Sequence, residues 1–210
     1  MRIGFFGGTF DPPHLGHLSV AKAASSAFSL DRVLFAPSAL QPLKPGGAVA
    51  SYEDRLAMVT LLCGSQPAPA HFAASNLDAP RLNTQPNFTV DTLTELRKDL
   101  TTEDHLYVIL GADAFLGVPQ WHSAYKLLKL ADWIVVSRPG FTIQNIETLA
   151  IPFSQRSHVH LLNGVEESVS ATRVRELLRD GSACEGLLTP SVLRYIRDHH
   201  LYPFVPEKRG

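Results

Sequence analysis

Short apolar runs alternate with stretches of helical spacing along most of the chain, and that alternation predicts a layered α/β fold. The runs at residues 2–6, 32–36, 105–110, 132–137 and 158–162 have the length of strands buried on both faces, and a weaker candidate lies around 71–75. Between them, the apolar positions predict helices over 15–28, 52–63, 90–100, 123–130, 171–179 and 190–199. In the helix at 171, Val174, Leu177 and Leu178 share a face, and Gly181 follows as a stop. Strands and helices in this order build a doubly wound, mostly parallel sheet with helices on both faces. Such sheets bind ligands at the carboxyl ends of their strands, where the strand order reverses. The segments after residues 6, 36, 110 and 137 are therefore the places to look for chemistry.

Two stretches carry no regular pattern. Residues 37–50 hold three prolines and an adjacent glycine pair, and residues 76–87 carry Arg81 and Asn83. Loops of this length in a small domain often serve function, though a plain connection is equally compatible with the sequence.

Length and composition narrow the class. With 210 residues, 45% of them apolar and 19% charged, the chain suits one globular domain spanning 1–210, with a C-terminal helical part from about 165. A formal net charge of -1 gives no reason to expect nucleic acid or a membrane surface as partner, so any phosphate site must be a local concentration of donors. Cys63 and Cys184 form no Cys-x-x-Cys pair and no disulfide framework, which fits a reducing cytoplasm. The N-terminal apolar stretch breaks at Gly7-Gly8, too short for a signal peptide, and no run approaches the roughly 18 apolar residues of a membrane span.

The chemistry concentrates in two motifs. Directly after the first apolar run stands Gly7-Gly8-Thr9-Phe10-Asp11-Pro12-Pro13-His14-Leu15-Gly16-His17. Read as a glycine turn leading into a helix, it removes side chains where a phosphate could meet the backbone. The helix N-terminus would add unpaired N–H groups. His14 and His17, three residues apart, would project about 60° apart on one helix face. Taken singly, Gly-Gly is a turn and His-x-x-His half of a zinc site, but no nearby Cys or His completes a ligand set. The second motif is Val169-Ser170-Ala171-Thr172-Arg173-Val174-Arg175. Ser170 is a good N-cap, and alone the motif reads as a cap with solvated arginines. Beside the first motif it offers hydroxyls and a guanidinium to a polyphosphate tail.

His14-Leu15-Gly16-His17 resembles the His-x-Gly-His signature of the nucleotidyltransferase superfamily, and Gly7 to Pro12 is similar to its adenylyltransferase branch. Residues 169–175 resemble that superfamily's Ile-Ser-x-Thr-x-Ile-Arg. The likeness extends to the nicotinate-nucleotide adenylyltransferases through Asn87-Phe88-Thr89-Val90-Asp91-Thr92-Leu93, Leu110-Gly111-Ala112-Asp113, Trp121, Ser137-Arg138-Pro139-Gly140 and the segment from Tyr195 to Tyr202.

The resemblance implies a Rossmann-like nucleotidyltransferase fold. It also implies adenylyl transfer from ATP to nicotinate mononucleotide, yielding nicotinate adenine dinucleotide and pyrophosphate in NAD biosynthesis. His14 and His17 would stabilise charge on the transferred phosphate, and Gly7, Gly8 and Thr9 would shape its pocket. Ser170, Thr172 and Arg175 would hold the β- and γ-phosphates, Lys44 and Arg138 would approach phosphate, and Asp113 would meet a ribose hydroxyl. Thr89 and Trp121 would bind the pyridine nucleotide, although alone Thr89 reads as a helix cap and Trp121 as a packing anchor. Mg²⁺ would accompany ATP, held mostly by phosphate oxygens and water. The segment from Tyr195 to Tyr202 reads as a packing helix with no catalytic role.

The chain departs from the family at two points. Gln41-Pro42-Leu43-Lys44 stands where Pro-Pro-His-Lys is usual, and Phe88 stands where Tyr is usual. A phosphopantetheine adenylyltransferase, a cytidylyltransferase and a nucleotide-binding module without catalysis share most of the same motifs. The Thr89 and Trp121 region separates the first two from the pyridine-nucleotide reading. Neither oligomeric state nor the choice between nicotinate and its amide leaves a residue code, because backbone N–H groups can make that choice.

Overall fold

The computed structural model describes residues 1–39, 47–65, 70–81, 86–137, 151–165 and 169–203. Its centre is a six-stranded sheet of β1 (Arg2–Gly8), β2 (Arg32–Pro37), β3 (His71–Ala74), β4 (His105–Gly111), β5 (Asp132–Val136) and β6 (Val159–Leu162). The strands lie in the order β3-β2-β1-β4-β5-β6, every neighbouring pair parallel. The order reverses between β1 and β4, which places the ligand crevice of such a sheet at the end of β1. This is the doubly wound parallel sheet that the strand–helix alternation predicts, and the Rossmann-like arrangement that the resemblance implies.

The helices are α1 (Leu15–Phe28), α2 (Tyr52–Gly64), α3 (Thr89–Lys98), α4 (Ala112–Phe115), α5 (Ala124–Leu128), α6 (Ala171–Arg179) and α7 (Pro190–Asp198). Alternate strand residues divide between two cores because successive side chains leave opposite faces of a sheet. Phe6, Val33, Phe35, Ile109, Ile134 and Val136 face one core, together with apolar residues of α1, α2, α6 and α7. Ile3, Phe5, Leu34, Val108, Leu110, Trp133 and Val135 face the other, covered by α3, α4 and α5. Strands apolar at every position are what burial on both faces requires.

Several boundaries differ from the sequence reading. The short α4 and the 3₁₀ turns Val118–Gln120 and Phe153–His158 are too brief to show a helical period. The last turn takes in His158, so β6 begins one residue later. The helix expected over 123–130 shortens to Ala124–Leu128, starting after Ser123 in left-handed backbone (φ 53°). Thr89 is the first helical residue of α3 and not its cap; that position belongs to Phe88, whose side chain makes no capping bond.

Candidate active site

Gly7 and Gly8 complete β1 and pair with Ala36 and Pro37, so they extend the strand where a glycine turn was expected. The turn itself is the segment that follows. Phe10 adopts left-handed backbone (φ 48°), and its ring folds back under the strand end. A Cβ on Gly8 would stand 3.2 Å from that ring, closer than ordinary van der Waals contact. The glycine is needed for the close approach of an aromatic ring. Phe10 is 2% exposed, and its ring meets that of His17 edge-on at 4.8 Å, so it forms the platform beneath this histidine.

His14 caps α1 with extended backbone (φ -137°, ψ 170°), and its own N–H donates to Nδ1 of His17 at 3.1 Å. That bond fixes a tautomer. With Nδ1 accepting, the proton of a neutral His17 sits on Nε2, which is then a donor. The two imidazoles lie against each other, centroids 3.7 Å apart and planes tilted by 32°; His14 is buried and His17 half-buried. The backbone amides at this helix start are largely committed, unlike the open set expected from sequence. Leu15 N–H donates to Leu187 O at 2.8 Å, and His17 N–H to His14 O at 3.0 Å. The donor capacity of this corner therefore lies in the imidazoles.

Beneath them runs a buried polar network that sequence reading missed. The Asp11 carboxylate accepts from the N–H of Val49 (2.6 Å), the N–H of Ala50 (3.1 Å) and the hydroxyl of Tyr202 (2.6 Å). Arg55, only 2% exposed, donates from Nη1 to the carbonyls of Thr9 and Ser38, both at 2.8 Å. Burial lowers the Arg55 pKa, opposed mainly by the Asp11 charge. Burial and the bond to Asp11 push the Tyr202 hydroxyl well above the ordinary tyrosine range, so it remains a donor. In the sequence, Asp11 and Arg55 stand in no pattern that points to this network. Their partners lie too far along the chain for local pattern to show them.

The second motif meets the first through Arg175. Its Nη1 donates to the main-chain oxygen of Asp11 at 2.6 Å, and its Nη2 to Thr172 Oγ1 at 3.2 Å. Ser170 caps α6, accepting from the N–H of Arg173 at 3.2 Å, while Ser170 and Thr172 remain exposed. The Arg175 bond thus brings the start of α6, with its exposed hydroxyls, to the loop that leads into α1 and its two imidazoles.

The pyridine-nucleotide candidates also come together. Phe88, just before Thr89, stacks on His122, just after Trp121, with centroids 4.3 Å apart and planes 27° from parallel. Both Phe88 and Trp121 pack against the α3–α5 core. Under the start of α3, Thr92 Oγ1 donates to buried Asp78 at 2.6 Å and Asn87 Nδ2 to the carbonyl of Ala79 at 2.8 Å, tying the loop to the helix. His122, stacked on Phe88, is a residue that sequence reading did not single out. Asp113 is exposed in the first turn of α4, directly after β4. Lys44 and Arg138 lie outside the described residues. Among the described residues, no three His, Cys, Asp or Glu side chains are grouped to hold a metal ion, and no helix is long and apolar enough to cross a membrane.

Comparisons with known proteins agree with this geometry. A cytidylyltransferase-like family model matches residues 5–177. A relative from Solibacter usitatus (strain Ellin6076), described as a probable nicotinate-nucleotide adenylyltransferase, is 40% identical over 202 residues, covering 96% of this chain and 100% of the relative. One from Synechococcus sp. (strain JA-3-3Ab), described in the same words, is 37% identical and covers 96% of this chain and 94% of its own. The solved Plasmodium falciparum nicotinic acid mononucleotide adenylyltransferase, complexed with NaAD, shares the fold at a TM-score of 0.74 and 20% identity, over 98% of this chain and 99% of that one. With residues 5–177 inside the family model and full-length relatives above 30% identity, this chain belongs to the cytidylyltransferase-like family and, within it, to the nicotinate-nucleotide adenylyltransferases.

Proposed function

We infer that this protein transfers the adenylyl group of ATP to nicotinate mononucleotide, releasing pyrophosphate and forming the dinucleotide used in NAD biosynthesis. An oxygen of the acceptor phosphate attacks the α-phosphorus of ATP. The bond from that phosphorus to the bridging β-oxygen breaks, and pyrophosphate leaves with the electron pair. No covalent enzyme intermediate is required, so catalysis is a matter of position and charge.

The observation that carries the reading is the hydrogen bond from the His14 N–H to His17 Nδ1. With Nδ1 so occupied, Nε2–H is left as a fixed donor beside the end of β1. A donor held by a second bond is preorganised for charge that develops on a phosphoryl oxygen. His14, its ring 3.7 Å away and tilted against it, completes the pair. Ser170, Thr172 and Arg175 hold the β- and γ-phosphates in this reading, with Gly7, Gly8 and Thr9 lining the α-phosphate pocket. Asp113, exposed just after β4, accepts from a ribose hydroxyl in this reading. Thr89 and Trp121 bind the pyridine nucleotide, the indole face suiting a flat ring. Lys44 and Arg138 are assigned to phosphate by their motif positions alone.

Mg²⁺ bound with ATP as part of the substrate would supply charge neutralisation at the triphosphate oxygens. A cation bound mainly by phosphate and water asks for few protein ligands, in keeping with a crevice whose buried carboxylate, Asp11, is already committed to protein donors. A cytoplasmic location is part of this reading, supported by the free, buried thiols of Cys63 and Cys184.

The test is a panel of acceptors with ATP or CTP, read by mass detection of the product. Nicotinate adenine dinucleotide from ATP is the expected product. Dephospho-coenzyme A from phosphopantetheine, or a cytidylyl product, would move the chain elsewhere in the superfamily.

A further inference from the structure

We propose that Tyr202 is a positioning residue for adenylyl transfer, holding the histidine-bearing loop in place through Asp11. The proposal rests on the reaction given above. It also revises the packing role expected of the segment from Tyr195 to Tyr202.

Helix α7 ends at Asp198, and the chain then turns back through His200 (φ 52°) to Tyr202 (φ 53°), both in left-handed backbone. Two side-chain-bearing residues held in that region within three positions need support from their surroundings. The turn brings the Tyr202 ring into the core at 3% exposure and its hydroxyl to 2.6 Å from Asp11 Oδ1. The loop being held is strained as well, with Phe10, directly before Asp11, at φ 48°. A strained corner of the C-terminal segment is therefore hydrogen-bonded to a strained corner of the active-site loop.

The rest of the network shows what this bond governs. Asp11 joins the loop to Val49 and Ala50 through its carboxylate and to Arg175 through its main-chain oxygen. Pro12 and Pro13, whose rings fix φ, connect Asp11 to His14 with little slack. A displacement of Asp11 is passed to the imidazole pair on one side and to the guanidinium on the other. Without the Tyr202 hydroxyl, one carboxylate oxygen of a residue that is 3% exposed loses its shortest partner. That oxygen then keeps only the longer bond from the Ala50 N–H, at 3.1 Å, and the loop shifts to shorten it or to gain another. The raised pKa of Tyr202 supports this role, because a tyrosine that stays protonated remains a donor across the working pH range.

The decisive variant is Tyr202→Phe, which keeps the ring and removes the donor. Its control is Tyr195→Phe, which removes a similar tyrosine–aspartate bond, 3.0 Å to Asp54, without touching the loop. Tyr202→Phe is expected to lower kcat on the order of 10-fold, with KM for both substrates within about twofold and a thermal midpoint like that of Tyr195→Phe. In the ligand-free protein, the imidazole NMR signals of His14 and His17 should shift. Those of His158 and His160, paired with Asp132 at the amino ends of β5 and β6, should stay in place. Unchanged kcat, a loss that only follows the folded fraction, or unmoved His14 and His17 signals would overturn the proposal. If the wild-type protein releases no pyrophosphate, the reaction fails, and the imidazole signals still decide whether Tyr202 positions the loop.

Discussion

Arg175 donates to the main-chain oxygen of Asp11 at 2.6 Å, joining residues 164 positions apart in the chain. The bond brings the Ser170–Arg175 motif to the loop that carries His14 and His17. It also gives Arg175 a structural role beside the phosphate contact proposed for it. The same guanidinium binds Thr172 Oγ1, so its planar fork orients two partners and retains further donors for an anion.

Arg175→Lys should therefore be poorly tolerated, although it conserves the charge. An ammonium cannot reproduce the fork that bridges Asp11 and Thr172. Turnover is expected to fall on the order of 10²-fold. Steady-state kinetics on the folded variant checks this, and near-normal turnover would show that charge alone suffices.

The two functions of His17 can be separated. Asparagine can place an oxygen where Nδ1 stands, accepting the His14 N–H, but it offers nothing in place of Nε2–H. His17→Asn should keep a thermal midpoint near that of the wild type. Its turnover should drop on the order of 10² to 10³-fold, as for His17→Ala. Calorimetry and kinetics on both variants test this; an active His17→Asn would remove Nε2–H from the mechanism.

Trp121 sits beside the Phe88–His122 stack, on the side of the crevice assigned to the pyridine ring. Trp121→Ala should raise KM for nicotinate mononucleotide about 10-fold while leaving KM for ATP within a factor of about two. An equal rise for both substrates would mean that the indole supports the fold and not the acceptor.

Acid stability should depend on Asp104. The Met1 ammonium, and then the backbone N–H and hydroxyl of Thr101, hold its carboxyl down to about 2, from an ordinary value of 3.8. A folded-state pKa below the unfolded one gives stability that is complete above the ordinary value and is lost as pH falls toward about 2. The wild-type thermal midpoint should drop more steeply than that of Asp104→Asn over this interval. Parallel curves would show that the contact adds nothing.

The sheet was legible because strands buried on both faces are apolar throughout and the helices between them keep their period. Segments distant in the chain also meet: Phe88, before Thr89, stacks on His122, after Trp121, and Arg175 bonds Asp11 in the loop that leads to His14. What the sequence could not express were relationships without local period. Gly8 reads as a turn, but the ring that requires it, Phe10, is placed by tertiary packing. Asp11, Arg55 and Tyr202 look ordinary in sequence because each gains its meaning from a partner tens of residues away or more. The open helix N-terminus was the reverse case. The local rule was sound, but a distant carbonyl, Leu187 O, had already taken one of the amides.

The most direct test of the whole account is the initial rate of pyrophosphate release with ATP and Mg²⁺, measured with nicotinate mononucleotide and separately with its amide. The account predicts rapid release with the acid, matched by dinucleotide formation. Equal rates with both acceptors would keep the reaction and indicate a pocket of dual specificity. No release with either, from a protein that is folded and binds ATP, would contradict the assignment.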